Sequence, residues 1–142
     1  MKKITIFFII VIITVVAISY MFINYKNNQS EIKKENKIYE EYLNKEKIGT
    51  EVATIINKAM DSNYKNDVEK DNDGNYINNE NNSINIDFKM LDNDKTYRME
   101  AIFKGGISNF TDYYRDIKFK CMKIEYHKTG RIKYMLFEQI TK

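Results

Sequence analysis

The chain begins with an apolar run of twenty residues, 4–23, in which no side chain is charged. Thr5, Thr14 and Ser19 are its only clearly polar members, and a helix can bond their hydroxyl groups to its own carbonyl oxygens. Twenty helical residues at about 1.5 Å each span the roughly 30 Å hydrocarbon core of a bilayer. A short domain cannot enclose a helix that is apolar on every side. We therefore predict a transmembrane helix over residues 4–23, after a short flank of residues 1–3.

The apolar run is expected to remain on the protein as an anchor. A secretory signal has a shorter apolar region, about 7–15 residues, followed by small residues at the cleavage site. The weak match here, Ala17-Ile18-Ser19, lies inside the run, and the only cysteine, Cys121, does not follow it closely enough to carry a lipid. A very short N-terminal flank usually stays inside the cell, although lysines lie on both sides of this run. The expected location is the cell membrane, with residues 24–142 outside.

The composition of the remaining chain narrows its class. Its length suffices for one domain with one core, and a single cysteine cannot form a disulfide within it. Abundant Lys, Asn and Ile, with no Pro or Trp, are typical of AT-rich bacterial coding sequences. Lys2, Lys3 and Lys26 account for the whole net charge of +3, and residues 27–142 balance at twenty basic and twenty acidic side chains. A nucleic-acid partner is therefore not expected.

Two helical patterns follow the apolar run. Residues 24–48 alternate Lys/Glu clusters with isolated apolar residues and predict a helical stalk. Gly49 interrupts this pattern, and Thr50 is a suitable cap for a new helix. The second helix carries an apolar stripe at spacings of three and four, which predicts packing on a sheet more strongly than a free binding face. The stripe consists of Val52, Ile55, Ile56, Ala59 and Met60.

The period then changes to two, which is typical of half-buried strands. After the polar residues 63–82, apolar side chains alternate over residues 84–90 and again over residues 97–103, with a turn at 92–94. A short helix is expected within residues 108–116.

The C-terminal part predicts a hairpin. Apolar residues in 117–126 change parity, and a β-bulge near Met122 would return them to one face. His127-Lys128-Thr129-Gly130 fits a tight turn before a last strand over residues 132–136. The expected fold class is α+β, with a four-stranded antiparallel sheet in a domain over residues 49–142.

The acidic segment EKDNDGNYINNE, residues 69–80, is similar to the calcium loop of an EF-hand, with acids at loop positions 3 and 5, Gly at 6 and Glu at 12. An EF-hand needs a helix on each side, whereas here a strand follows. Asp73-Gly74 and Asn75 suit a turn between extended segments, and this is the preferred interpretation. A calcium loop of another type, using Asp71, Asp73 and Glu80, stays open as an alternative.

Groups able to perform catalysis are sparse. Cys121 and His127 lie six residues apart on one predicted strand, about 20 Å if extended, too far for a nucleophile and its base. Cys121 is expected to pack inward, and His127 to be a surface imidazole beside the turn. We predict no catalytic, cofactor-binding or metal-binding residue, and no enzymatic activity.

The last hairpin is rich in basic residues. Residues 101–142 carry nine basic and four acidic side chains. A basic sheet with interleaved tyrosines can bind single-stranded nucleic acid, an anionic wall polymer or a membrane surface. Lysines that alternate outward also keep strands soluble, and this interpretation is preferred. The basic residues on or near the hairpin are Lys118, Lys120, Lys123, Lys128, Arg131 and Lys133.

The layout as a whole resembles that of type IV pilins and pseudopilins, in which an apolar N-terminal helix continues into an amphipathic helix packed on an antiparallel sheet. The elements GTEVATIINK, residues 49–58, and FKCMKIEYH, residues 119–127, are also similar to uncharacterised small single-pass membrane proteins of low-GC Gram-positive bacteria. The chain departs from the pilin processing signature, because Lys3 precedes the apolar run and Glu31 is the first acid. The resemblance implies architecture more than filament assembly.

Three functional hypotheses follow. The first is a non-enzymatic, membrane-anchored surface or assembly protein, pilin-like in architecture, with a protein partner or a homo-oligomeric contact. The second is a membrane-tethered ligand or ion sensor that uses the acidic loop. The third is a cytoplasmic-face domain that binds anionic partners through the basic hairpin.

Overall fold

A computed structural model describes residues 2–91 and 95–141, so the turn predicted at 92–94 lies outside the described residues. Contacts divide the chain into the units Met1–Lys34 and Glu35–Lys142. The elements in chain order are α1 (Lys2–Glu40), β1 (Glu46–Ile48), α2 (Gly49–Lys65), β2 (Asn85–Lys89), β3 (Thr96–Arg98), α3 (Met99–Gly105), α4 (Ile107–Tyr114), β4 (Lys118–Tyr126) and β5 (Ile132–Gln139).

The first unit consists of the greater part of α1, and the predicted long apolar helix is confirmed. Its most apolar stretch has a mean hydropathy of 3.0, and none of that stretch is buried. Thr14 Oγ1 donates to the carbonyl oxygen of Ile10 at 2.9 Å, so this hydroxyl is satisfied within the helix. Among the described residues, α1 is the one helix long and apolar enough to cross a membrane. Such a helix is compatible with a membrane anchor or a signal sequence.

The predicted helical stalk is too long at its C-terminal end. Helix α1 ends at Glu40, and residues 46–48 form strand β1, which pairs antiparallel with β4. Asn44 turns the chain with a positive φ of 58°, and its amide donates to the Cys121 carbonyl at 2.9 Å. The Lys/Glu-rich sequence is compatible with a helix throughout. Residues 46–48 form backbone hydrogen bonds with β4 instead, and the sequence pattern gives no sign of this pairing.

The end of α1 is part of the second unit. Asn36 Nδ2 donates to the Gly130 carbonyl at 2.7 Å, and Asn36 Oδ1 accepts from the Ile132 amide at 3.1 Å. The carboxylate of Glu35 accepts from Ser62 Oγ at 2.7 Å and from Arg131 Nη1 at 2.8 Å. One turn of α1 therefore holds both the β4–β5 turn and the C-terminal half of α2.

The described residues form a five-stranded mixed sheet with strand order β1-β4-β5-β2-β3. The α+β class is confirmed, but the four-stranded antiparallel meander is wrong, because β2 and β5 are parallel neighbours. The segment after β2 carries β3, α3 and α4 before the chain returns in β4. Parallel strands need a long connection of this kind. Alternation shows which face of a strand is buried, whereas it does not show which strand lies beside it.

The second predicted strand is largely wrong. Strand β3 ends at Arg98, and residues 99–105 form helix α3. The segment MEAIFKG contains several strong helix formers, so its apolar residues also fit a short helix. Met99 and Glu100 in its first turn are buried, while Phe103 remains partly exposed.

Other local predictions are confirmed. Strand β2 lies within residues 84–90. Helix α4 (Ile107–Tyr114) begins one residue before the predicted range 108–116 and otherwise lies inside it. The register between β4 and β5 shifts between Cys121 and Lys123, which places the bulge at Met122. Gly130 has a φ of 85°, the left-handed conformation expected in the turn that it closes.

The core lies between α2 and one face of the sheet. All five residues of the predicted stripe on α2 are buried. Phe88 of β2 stacks on Phe137 of β5 with ring centroids 5.4 Å apart and meets Phe119 edge-on at 6.3 Å. Helix α2 begins at Gly49, and Glu51 rather than Thr50 accepts a bond at its start, from the Ile48 amide at 3.2 Å.

Truncation of the stripe should destabilise the second unit. Ile55 and Ile56 are fully buried, so Ile55→Ala or Ile56→Ala in the full chain should each cost about 2–5 kcal/mol of unfolding free energy. Denaturant unfolding in detergent micelles, followed by near-ultraviolet circular dichroism of the tyrosines, measures this loss. Lys58→Ala on the exposed side of α2 is the control and should change stability little. Equal stability of all three variants would show that the stripe is not core.

A second prediction concerns the start of α2. A Cβ on Gly49 would overlap the carbonyl oxygen of Tyr114 and lie 2.8 Å from the Tyr114 Cβ, whereas a Cβ on Gly105 would meet nothing within 4 Å. Gly49→Ala should therefore force α2 and α4 apart. The overpacking should cost about 1–3 kcal/mol of unfolding free energy and lower the melting temperature by several degrees or more. Gly105→Ala is the matched control and should melt like the parent. The prediction fails if the two alanine variants have the same melting temperature.

Candidate functional site

The acidic segment is a closed turn, as predicted. The Asp71 amide donates to the Asn75 carbonyl, and the Gly74 amide to the Asp71 carbonyl, each at 2.9 Å. Gly74 has a φ of 74°, which a glycine adopts without strain. The Ile77 amide then donates to the Glu69 carbonyl at 2.8 Å, so the two arms of the segment run side by side.

The polar groups of this turn are occupied by the protein itself. The Asp71 carboxylate accepts from the Asn75 amide at 2.8 Å and from Asn75 Nδ2 at 3.2 Å. The backbone bond from Asn75 is the main cause that lowers the pKa of Asp71 from 3.8. Its support of the turn is therefore present above pH 3.8 and is lost as the pH falls through the lower value. The ammonium group of Lys104 donates to the Asp73 carbonyl and, at 3.1 Å, to Asn75 Oδ1.

Asp71, Asp73 and Glu80 do not form a metal-binding group in the part of the chain that the structure describes. Within residues 2–91 and 95–141, no three His, Cys, Asp or Glu side chains are grouped so that they could hold a metal ion. The ammonium group of Lys104 instead contacts the turn. The geometry thus favours a turn fastened by a lysine over a turn that binds calcium.

Cys121 and His127 serve different parts of the core. Cys121 is fully buried, as predicted, and burial raises the pKa of its thiol to about 11. The prediction of a surface imidazole is wrong, because His127 is only 6% exposed and its Nε2 lies 2.7 Å from the Ser83 carbonyl oxygen. The turn after β4 folds against the segment before β2, and Thr129 Oγ1 also donates to the Asn81 carbonyl at 2.9 Å. His127 therefore fastens this turn.

One row of side chains across the sheet alternates basic and acidic residues, and it includes Lys120 of the hairpin. The strand register aligns one charged residue from each of β2, β5, β4 and β1, and the charge alternates in sign from one strand to the next. Cross-strand pairs of opposite charge stabilise a sheet modestly and cancel its field. A count along the sequence misses this pattern because Lys89 and Glu46 come from other segments of the chain. The row consists of Lys89, Glu138, Lys120 and Glu46.

Other lysines of the hairpin form ion pairs with glutamates, and two of its tyrosines donate hydrogen bonds to carboxylates. Lys118 Nζ lies 3.1 Å from Glu46 Oε2, and Lys123 forms an ion pair with Glu125. The Tyr126 hydroxyl donates to Glu40 Oε1 at 2.9 Å. The Tyr134 hydroxyl donates to Asp87 Oδ2 at 3.0 Å, and burial, together with the Asp87 charge, raises the pKa of Tyr134 to about 12. These contacts disfavour the hairpin as a surface for anionic partners.

A buried polar cluster fastens the acidic turn to the start of α3. Glu100 is 1% exposed, and its Oε1 accepts from the Tyr76 amide and from Arg98 Nη2, each at 3.2 Å. Arg98 Nη2 also donates to the Tyr76 carbonyl and to Asn85 Oδ1, each at 3.0 Å. Glu100 Oε2 is buried and has no protein partner among the described residues. The sequence gives no signal for this cluster, because Glu100 occupies a polar position of the alternating segment 97–103.

Helix α3 separates a larger groove from a smaller one. The larger, of about 420 Å³, is lined by Met90, Tyr97, Ile102, Phe110, Tyr113 and Tyr114, with Gly105, Gly106 and Asn109 at its edge. The smaller, of about 300 Å³, is lined by Asn57, Met60, Asp61, Tyr64, Lys70, Tyr76 and Phe103.

We call the exposed part of these grooves and the helix between them the α3 surface, defined by Tyr64, Ile102, Phe103 and Tyr113. Tyr64 and Tyr113 are each 74% exposed and Phe103 is 43% exposed. Tyr113 and Phe110 both pack on Tyr114 with ring centroids 4.8 Å apart, so the wall of the larger groove is preformed. The α3 surface is the candidate functional site, and the sequence patterns did not identify it.

Comparison with known proteins supplies no relative. No known protein family, no curated protein and no solved structure matches the chain. The candidate site is therefore characterised by its own geometry alone: an apolar surface beside grooves whose walls are fixed by aromatic packing.

The turn interpretation predicts the response to calcium. Because the Asp71 carboxylate is bonded to Asn75 and Lys104 lies over the turn, millimolar calcium should leave the melting temperature of the full chain unchanged. Asp71→Ala with Asp73→Ala should show the same absence of response. Magnesium at equal concentration is the control for ionic strength. A gain of several degrees in the parent alone, specific to calcium, would establish an ion site.

Proposed function

We propose that the chain is a single-pass membrane protein whose second unit is a non-enzymatic, pilin-like surface or assembly module outside the cell. The observation that carries the proposal is helix α1, whose apolar stretch of mean hydropathy 3.0 is wholly exposed. Exposed apolar area of that extent is stable in a bilayer and very costly in water. The hydrocarbon core of a membrane is the environment that matches it.

Retention of the anchor is supported by the length of α1 and by its end. The helix runs without a break from Lys2 to Glu40, and its apolar part exceeds the roughly 7–15 residues of a signal sequence. Its last two turns supply Glu35, Asn36 and the buried Tyr39 to the folded unit. A helix that enters a membrane and also completes a folded unit is the layout that the pilin-like part of the proposal requires.

A non-enzymatic role is supported by what the polar side chains do. His127 fastens a turn, Glu100 and Arg98 fasten the acidic segment, and Tyr134 bonds to Asp87. Cys121 is enclosed, with the pKa of its thiol raised. Reactive groups that are committed to the fold in this way are not available to a substrate. The accessible feature is the apolar α3 surface, which suits binding.

Membrane side can be tested with a cysteine introduced at the exposed turn residue Lys128. We expect Lys128→Cys in the full chain, expressed in bacterial cells, to react with a membrane-impermeant maleimide on intact protoplasts. The parent chain is the matched control, because its buried Cys121 should not react until the protein is denatured. Labelling of Lys128→Cys only after lysis would place the unit inside and refute the proposal.

Retention of α1 is measured on the same sample. We expect the labelled chain to stay in the membrane pellet after alkaline carbonate extraction and to have the mass of the uncleaved chain. Release into the supernatant, or a mass that lacks the apolar run, would show a signal sequence instead of an anchor.

A further inference from the structure

We infer that the smaller groove beside α3 binds a small, soluble quaternary ammonium compound of the choline class. The protein already places a cation in this groove, since the Lys70 ammonium lies 4.6 Å from the centroid of the Tyr76 ring. A cation within about 6 Å of an aromatic face is attracted by the negative charge of that face. The site lies within the second unit and needs neither the assembly role nor the membrane side proposed above.

Aromatic side chains from three separate elements line the smaller groove. Tyr64 comes from the end of α2, Tyr76 from the acidic segment and Phe103 from α3. Tyr76 is 3% exposed, whereas Phe103 and Tyr64 are 43% and 74% exposed, so one ring is buried and two are accessible. The volume of about 300 Å³ is at the lower end for ligand sites, which suits a compact molecule.

The buried ring of the groove is held in place by the protein. The Tyr76 hydroxyl donates to the Met60 carbonyl at 3.3 Å, and the Tyr76 amide donates to the Glu100 carboxylate at 3.2 Å. The Tyr76 carbonyl accepts from Arg98 at 3.0 Å. A ring fixed at both ends loses little conformational freedom when a ligand binds, so the aromatic face is preformed for a cation.

The Lys70 ammonium is the group that a ligand has to displace. Lys70 and Tyr76 face each other across the two arms of the acidic segment as an isolated antiparallel pair. In the part of the chain that the structure describes, Lys70 forms no ion pair with a carboxylate. Its side chain is exposed and flexible, so the ammonium can leave the ring and return to water.

The lining favours a cation that binds without donating hydrogen bonds. Asp61 of the lining is already paired with Lys65 at 2.6 Å, so its carboxylate offers little to a ligand that needs an ion pair. A quaternary ammonium group has no N–H to satisfy, and aromatic faces are the groups that recognise it. A compound of this class therefore matches the groove better than a primary amine does.

The test is titration of the full chain in maltoside micelles with choline chloride, followed by nuclear magnetic relaxation of the choline methyl protons. Choline should bind, and dimethylbutanol, its uncharged carbon analogue of the same shape, should bind about tenfold more weakly. Sodium chloride at equal concentration controls for ionic strength. Equal affinity for choline and dimethylbutanol, or no binding of choline, would overturn the inference.

Loss of a ring locates the site. Tyr64→Leu and Phe103→Leu each keep an apolar side chain, and each should weaken choline binding by about three- to tenfold. Tyr113→Leu is the matched control and should bind like the parent, because Tyr113 has the same 74% exposure as Tyr64 but lines the larger groove. Parent-like affinity in both Tyr64→Leu and Phe103→Leu, or an equal loss in Tyr113→Leu, would show that choline binds elsewhere.

Removal of the internal cation gives a change in the opposite direction. Lys70→Met keeps an unbranched stem and leaves the Tyr76 ring without its ammonium, so choline binding should become about three- to tenfold tighter. A substitution that only damaged the fold would weaken binding instead. Unchanged or weaker binding in Lys70→Met would show that choline and Lys70 do not compete for the ring, and the inference would be wrong.

The headgroup of phosphatidylcholine carries the same trimethylammonium group and is separated from a soluble ligand by lipid composition. The full chain is placed in vesicles of phosphatidylglycerol mixed with either phosphatidylethanolamine or phosphatidylcholine, which have equal surface charge. Free choline should bind equally well in both. Weaker binding in the vesicles that contain phosphatidylcholine would assign the groove to a lipid headgroup and overturn the assignment to a soluble compound.

Discussion

The aromatic contact between β2 and β5 determines how the second unit is arranged. Phe88 stacks on Phe137 and also packs against Phe119 of β4 and Phe110 of α4. The four rings belong to one hydrophobic core cluster. Strand β2 runs parallel to β5, and parallel neighbours need a long connection. Elements β3, α3, α4 and β4 make up that connection, and α3 and α4 within it carry part of the α3 surface.

A close contact between the start of α2 and the end of α4 holds these two helices together. Gly49 lies against the backbone of Tyr114, where no other residue fits without a shift. The Gly49 amide also donates to the Ile117 carbonyl at 3.0 Å, which ties the start of α2 to the chain just before β4. Tyr114 is thereby held in place, and Phe110 and Tyr113 pack on it. A single glycine in the core thus supports the wall of a groove at the surface.

The sequence patterns correctly predicted those features that depend on interactions between residues near each other in the chain. Alternation over residues 84–90 gave β2, and the change of parity near Met122 gave the bulge, because both depend on side-chain direction within one strand. Strand β1 was missed because its three residues have no apolar pattern and form a strand only beside β4. Helix α3 was missed because its apolar residues fit either period. The burial of His127 and the α3 surface depend on contacts between distant segments, and neither has a signature along the chain.

Charge shows the same difference between sequence order and spatial order. The hairpin is basic as a segment, yet Glu46 and Glu35 from other parts of the chain, and Glu138 of the hairpin itself, lie beside its lysines and arginine. Both edge strands of the sheet, β1 and β3, have three residues and contain a Lys or Arg, which discourages pairing with another sheet. Charged side chains therefore keep the sheet soluble and separate. The α3 surface differs from the sheet in this respect, because Tyr64, Phe103 and Tyr113 leave apolar area exposed there.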